Sequence, residues 1–456
     1  MSIQPRLHEQ APALKNEWAV QEHRLPAARY TDPEFARLEK EKLWPHVWQM
    51  ACRTDELRHV GSYMVYDILK ESIVIVRTDK DTLKAYHNVC PHRATLLAVG
   101  SGRFQLKTIT CPYHGWKWNL DGENIYVMDQ PEFCAGELSN DELKLHETQI
   151  AEWMGSVWIN LDPDAAPFAD YIAPIKALLD PVLIDRMRFY WHKQVRVPAN
   201  WKVSQEAFME AYHVGGTHPQ ILRHTEYERS NSLIEYETFR NGHSIFKQTV
   251  NVRMGQASDG ERAAVSVDDQ IRNLVWEMKM VWDQHDALVL REEVELAEEL
   301  QQRGLPENAN VGAEFQTMVR DHYDAERRPM AEPEALLAVS DCHIFPNLTF
   351  LPLYGNILMY RVRPTPENDP DWCIFDMYSL RTYGEGVEVP DWHTEMCDDV
   401  SSPDQFRLVP RQDFSNIPRQ QRGMHSSKMK TMLFNERQET NILNMHRELD
   451  RYLVGN

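Results

Sequence analysis

Apolar and polar positions change their rhythm twice along the chain. The first forty residues are largely polar, and residues 32–43 form the first helical stretch, with Asp32 suited to an N-cap and Pro33 to the first helical position. From Trp44 the pattern turns to short β-branched and aromatic runs. Ile73-Val74-Ile75-Val76, the turn residues Asp79-Lys80-Asp81 and the run 83–89 predict a hairpin, and 157–161 predicts another strand. Residues 162–167, rich in Asp, Ala and Pro, read as a boundary. Beyond them helices and strands mix. Residues 189–197 are strand-like, and Asn200-Trp201-Lys202 opens a helical segment carrying Glu206, Glu210 and His213. Residues 286–302 predict a helix stopped by Gly304, and 348–353, 357–362 and 373–380 predict strands. The last helix, 435–453, places Ile442, Met445, Leu449 and Leu453 on one face.

This layout predicts an α+β chain: a helical segment over 1–43, an all-β domain over 44–165, and a mixed domain over 166–456. A length of 456 residues also favours more than one core. The net charge of −20 argues against nucleic acid and anionic membrane as partners. No run approaches the roughly 18 apolar residues of a membrane span, and Met1 to Arg6 lacks the apolar core of a signal peptide. Of seven cysteines, Cys52, Cys134, Cys342, Cys373 and Cys397 are expected to be reduced, packed thiols, which suits a cytoplasmic setting.

The other two cysteines carry the chemistry. Cys90-Pro91-His92-Arg93 and Cys111-Pro112-Tyr113-His114-Gly115-Trp116 each offer one thiolate and one imidazole. Two Cys on one iron and two His on the other is the ligand demand of a Rieske 2Fe–2S centre. Structural zinc also favours two Cys and two His, but its spacing usually pairs like with like, whereas each run here mixes the types. Pro91, Pro112 and Gly115 suit tight loops.

A second constellation lies in Glu206-Ala207-Phe208-Met209-Glu210-Ala211-Tyr212-His213-Val214-Gly215-Gly216-Thr217-His218. Two imidazoles five apart do not share a regular helix face. Gly215-Gly216 is expected to relax the helix so that both nitrogens converge. One more carboxylate makes a two-His-one-carboxylate triad for non-haem Fe(II), and Glu210, three residues before His213, competes for that place. His pairs of this kind are more often incidental, but a one-electron donor upstream calls for a redox acceptor.

With these segments and Arg411-Gln412-Asp413, the chain resembles the large, α-type subunits of Rieske non-haem iron oxygenases, the aromatic-ring-hydroxylating group included. The resemblance implies a catalytic domain with a large antiparallel sheet flanked by helices, of helix-grip type. It implies that His213 and His218 ligate a mononuclear Fe(II), with a third ligand far downstream: Asp413, with Asp398, Asp399 and Asp404 as competitors. It also implies electrons from NAD(P)H through a flavin-containing reductase or ferredoxin, and a homotrimer or α3β3 assembly in which Glu210 bridges to His92 or His114 of the next subunit. Relatives usually carry Asp where this chain has Glu210 and a Glu-Asn pair where it has Gln205-Glu206. The expected reaction inserts oxygen from O2 into an aromatic or other small organic substrate, ring hydroxylation first. Monooxygenation or demethylation of a non-aromatic or quaternary-amine substrate is the alternative, and pure Rieske electron transfer a further one. Phe208, Met209, Phe345, Leu348 and Phe350 are weighed as pocket lining against plain core packing, and His224, His343 and His425 are read as structural. Residues 221–333 remain open between a lid, a subunit contact and decorated surface.

Overall fold

The computed structural model describes residues 13–133, 138–221, 234–248 and 266–454. Two large sheets organise the chain. The first has seven strands in the order Gln49–Arg53, Ser156–Asn160, Glu147–Trp153, Thr82–His87, Glu71–Asp79, Ser62–Ile68 and Ser101–Arg103. A three-stranded sheet of Thr108–Thr110, Lys117–Asn119 and Asn124–Tyr126 accompanies it. The second large sheet has eight strands in the order Ile234–Thr238, Ser244–Gln248, Asp341–Ile344, Leu348–Pro352, Asn356–Pro364, Cys373–Arg381, Arg188–Val197 and Thr394–Cys397. Its neighbours are antiparallel except the last pair, which is parallel. The class is α+β, as expected from the sequence.

Local chemistry explains many of these elements. The Asp32 side chain accepts from the Glu34 N–H and caps the helix Pro33–Lys42. Glu71–Asp79 and Thr82–His87 pair as the expected hairpin. Asn356–Pro364 is buried along its whole length, as a central strand covered on both faces must be. Its two cations, Arg361 and Arg363, meet Asp376, which stands directly opposite Arg361 in the ladder. One apolar core joins elements of both large sheets, through residues such as Trp44, Trp158, Trp201 and Phe375. A smaller core of Val74, Val76, Tyr86, Ile109 and Trp118 lies beneath the two cysteine-histidine loops. The N-terminal helix is tied down by polar contacts: Glu39 Oε1 accepts from buried Lys202 at 2.6 Å, and Arg29 reaches Asp450 at 2.6 Å.

Several boundaries differ from the sequence reading. The helix after Asn200 is Trp201–Glu206 and stops there, so Glu210 and His213 sit in the turn that follows. Gly215-Gly216 does not interrupt a helix but lies inside the short helix Val214–Thr217. Asp286 is no helix start: it adopts φ 55° as the C-cap of Val267–His285, and the next helix is Arg291–Arg303. Glu293 marks that later start by accepting the Leu290 N–H at 2.8 Å. Gly304, at φ 66°, terminates it as expected. The last helix begins at Thr440 rather than 435, with Ile442, Met445, Leu449 and Leu453 buried as expected. Cys52, Cys342, Cys373 and Cys397 are free and buried, while Cys134 and His224 lie outside the described residues.

Candidate active site

Two loops built on the same plan present Cys90, His92, Cys111 and His114. In the first, the Cys90 N–H donates to the Thr95 carbonyl at 2.9 Å and the Ala94 N–H to the Cys90 carbonyl at 3.0 Å. In the second, the Cys111 N–H donates to the Trp116 carbonyl at 2.8 Å and the Gly115 N–H to the Cys111 carbonyl at 3.1 Å. The offsets are identical, and the fourth residue after each cysteine is left-handed: Ala94 at φ 60° and Gly115 at φ 71°. Glycine is suited to that geometry and alanine is not, which is why the sequence flags only the second loop. Both thiols are buried and unbridged. The imidazoles are less buried, 4.7 Å apart between ring centres, and His92 stacks on Trp116 at 4.8 Å. His114 Nδ1 is buried without a hydrogen-bond partner.

These donors fit a two-iron cluster better than one ion. A tetrahedral zinc holds its ligand atoms within about 4 Å of one another. Here Cys90 and Cys111 pair with each other through their side chains, and His92 and His114 with each other at 4.7 Å between ring centres. Elsewhere among the described residues, His213, His218 and Asp413 form a triad whose ligand atoms lie within 4.8 Å of one another. Two thiols on one side and two imidazoles on the other match a cluster whose irons take different ligands.

The triad is assembled from two distant segments. His213 and His218 flank Val214–Thr217, and Asp413 lies in the second turn of the helix Leu408–Met424, which continues through Pro418. Asn416 Nδ2 donates to Thr217 Oγ1 at 3.1 Å and ties the segments together. His218 Nε2 is 2.9 Å and His213 Nε2 3.7 Å from Asp413 Oδ1. The other ring nitrogens are held from behind. His213 Nδ1 meets Glu210 Oε1 at 2.9 Å, and the His213 N–H donates to Glu210 Oε2 at 2.9 Å. His218 Nδ1 donates to Gln412 Oε1 at 2.9 Å, which also accepts from Gln220 Nε2 at 2.7 Å. Such outer contacts fix tautomer and ring direction. Burial opposes charge on His213, but Glu210 and Asp413 outweigh it and push the imidazole up to about 9, so an ion arriving here displaces a proton.

Glu210 therefore serves His213 rather than taking the third place in the triad. The Asp398 carboxylate accepts from Gln405 Nε2 at 2.6 Å and that of Asp399 from the Ser401 N–H and Oγ at 2.8 and 2.7 Å, and Asp404 lines a neighbouring polar pocket. Glu206 is buried against Tyr30 Oη at 2.8 Å and His446 Nε2 at 2.7 Å, a structural contact. Gln205 bonds Thr349 Oγ1. His343 is buried, which pushes its imidazole down to about 3, and His425 meets Asp371 at 2.6 Å; both act structurally. Gln412 and Gln220 were not found from sequence, where only the proximity of Gln412 to Asp413 offers a hint.

His213, His218 and Asp413 open on a cavity of about 260 Å³ between the eight-stranded sheet and the helix Val267–His285. Of the five residues weighed from sequence, Phe208 lines it, while Met209, Phe345, Leu348 and Phe350 take the core-packing role favoured for most of them. They belong to turns and strands whose side chains fill the space behind the wall. The described part of 221–333 supplies the opposite wall through Met278, Val281, Leu288 and Val289.

The family model described as ring hydroxylating alpha subunit (catalytic domain) matches residues 184–455, and that of the Rieske [2Fe-2S] domain matches 47–135. The chain belongs to the Rieske ring-hydroxylating oxygenase alpha-subunit family. The carnitine monooxygenase oxygenase subunit of Escherichia coli K12 is 31% identical over 231 residues, 49% of this chain and 61% of that protein. The glycine betaine monooxygenase oxygenase subunit of Chromohalobacter salexigens is 30% identical over 220 residues, 47% of this chain and 46% of that protein. The match thus spans only about half to three fifths of these relatives. The solved structure of the quaternary ammonium Rieske monooxygenase CntA with L-carnitine superposes with a TM-score of 0.62 at 18% identity, covering 96% of this chain and 97% of that one. At that identity the likeness concerns the fold. No described helix is long and apolar enough to cross a membrane.

Proposed function

We propose that the chain is the terminal component of a monooxygenase that oxidises an amine, with a Rieske cluster on Cys90, His92, Cys111 and His114 and a mononuclear iron on His213, His218 and Asp413. The observation that carries the reading is a three-donor set opening on a cavity, in a chain that also bears Rieske ligand loops. When bound, the cluster supplies electrons singly and the iron supplies oxygen activation at its open positions. Two electrons and two protons balance the reaction of O2: one oxygen atom enters the substrate and the other leaves as water. The electrons come from NAD(P)H through a reductase or ferredoxin.

The protein's own part is positioning. Glu210 and Gln412 hold the two imidazoles so that both Nε2 atoms face Asp413, and Phe208, Val281 and Leu358 make the wall apolar and keep water away from the substrate. The amine reading takes precedence over ring hydroxylation because the relatives above are named for quaternary amines. A trimer in which Glu210 faces a Rieske histidine of the next subunit accords with a related quaternary ammonium monooxygenase whose solved structure is described in terms of inter-subunit electron transfer. Val99 and Leu106, 77% and 95% exposed beside the cysteine-histidine loops, suit contact with an electron donor or a neighbouring subunit.

The test is product mass with a surrogate reductase and labelled O2, across quaternary amines and simple arenes. Loss of a methyl or alkyl group as an aldehyde that carries the one inserted labelled oxygen, trapped before it exchanges with water, and an unlabelled dealkylated amine are expected. Two labelled atoms in a ring diol would replace the amine reading with dioxygenation. A second expected outcome concerns Gln412: Gln412→Ala weakens retention of the mononuclear iron by about 10–100-fold in chelator competition, with the Rieske spectrum unchanged. Retention equal to the parent would mean that Gln412 does not orient His218.

A further inference from the structure

The cavity holds one charged side chain that the reaction above leaves without a task. Glu277, Val281 and His285 recur every four residues along Val267–His285 and line the cavity from that helix. Leu274 and Met278 beside them are buried and apolar, so a carboxylate interrupts a stripe that otherwise reads as core. Among the described residues Glu277 has no hydrogen-bond or ion-pair partner, and burial alone pushes its carboxyl up to about 8. Glu277 is half-buried on the cavity wall, within reach of a ligand, and a cation bound there would favour its charged form.

The rest of the wall selects the sign and shape of that partner. Glu210, Glu293, Asp341 and Asp413 also line the cavity, and among the described residues no Lys or Arg does. Glu210 is engaged by His213, Glu293 by the Leu290 N–H and Asp413 by both histidines of the triad. Phe208, Phe246 and Tyr360 also line the cavity, and aromatic rings attract cations. Lys193 and Arg407 line the neighbouring pocket and lie against Glu395 at 3.2 Å and Asp286 at 3.9 Å.

We propose that Glu277 is the counter-ion for an alkylammonium group of the substrate, and that the cavity prefers amines lacking a carboxylate to betaines. This rests on the substrate-cavity reading above and goes beyond it by naming the residue and the excluded class. Among the described residues, a betaine carboxylate entering the cavity would meet acids and no Lys or Arg, whereas a bare ammonium group meets the Glu277 carboxyl and aromatic rings. The titratable groups lining the same space are Glu210, His213, His218, Glu293, Asp341, Asp413, His285, Tyr354 and Tyr360, and none of them contributes to the shift at Glu277. Without a cation Glu277 holds its proton at neutral pH. Cation binding releases that proton and so strengthens as pH rises towards 8.

The test is calorimetric binding to the iron-loaded full chain, with choline, glycine betaine and the neutral carbon isostere of choline as probes. The parent is expected to bind choline at least about tenfold more tightly than either other probe. Glu277→Gln weakens choline by roughly 30-fold or more and removes the rise with pH, while the isostere shifts by no more than about twofold. Glu277→Asp, which keeps the charge, retains a preference for choline over the isostere. Equal binding of choline by Glu277→Gln and the parent overturns the proposal, as does glycine betaine binding as tightly as choline. Binding is read without turnover, so selection of choline through Glu277 in a chain that forms no oxygenated product would overturn the reaction and leave this inference standing.

Discussion

Replacing Asp376 by alanine is expected to destabilise the folded chain by about 3–5 kcal/mol, because it strands buried cations. Asp376 is fully buried, between two strands of the eight-stranded sheet. Its carboxylate accepts from Arg361 Nη2 at 2.9 Å, Arg363 Nη1 at 2.5 Å, His192 Nε2 at 3.0 Å and Gln194 Nε2 at 2.7 Å. Burial opposes its charge, but Arg361 and Arg363 outweigh burial and hold the carboxyl well below the usual carboxylate range. Arg361 also donates to the Met50 and Ala51 carbonyls at 3.1 and 2.5 Å, so one guanidinium joins the second sheet to the first strand of the other. A folded pKa below the unfolded one gives stability that is complete above the unfolded value, about 3.9, and lost as pH falls through the folded one. The gap between parent and Asp376→Ala, read from urea unfolding, should therefore be full at neutral pH and narrow below about pH 4. A gap under about 1 kcal/mol at neutral pH would show that water or rearrangement compensates the two arginines.

What could be read from the chain alone follows the range of the interactions involved. Cys90, His92, Cys111 and His114 were legible because each pair is local, and the loop geometry is set within six residues by turns that Pro and Gly permit. His213 and His218 were legible as a pair for the same reason. Their convergence does not come from the glycines relaxing a helix: the helix ends at Glu206, and Gly215-Gly216 lie inside a separate helical turn. The extended strands and the final amphipathic helix declared themselves by periodicity. Asp413 came only from family resemblance, since its contact with His218 spans 195 residues and no local pattern encodes it. Gln412, Gln220 and the Glu277 wall are likewise products of packing between distant helices. Within 286–302, apolar spacing continued across a capped break, because Leu288 and Val289 face the cavity from outside any helix.

Replacing His213 by alanine should abolish turnover while leaving the electron-input centre intact. The two sets of donors stand on separate elements, the Rieske loops over one small core and the triad between Val214–Thr217 and Leu408–Met424. Loss of an outer contact to a metal ligand already costs about 10–100-fold, so loss of the ligand itself should cost more than about 100-fold in activity. Glu210 loses its contact to the imidazole at Oε1 and keeps the backbone N–H of residue 213 at Oε2.

Iron and acid-labile sulfide per chain, measured beside the Rieske spectrum in the parent and in His213→Ala, test this division most directly. The expected result is about three irons in the parent and about two in the variant, with sulfide and spectrum unchanged. Zinc without sulfide in the parent, or unchanged iron and turnover in the variant, would contradict it.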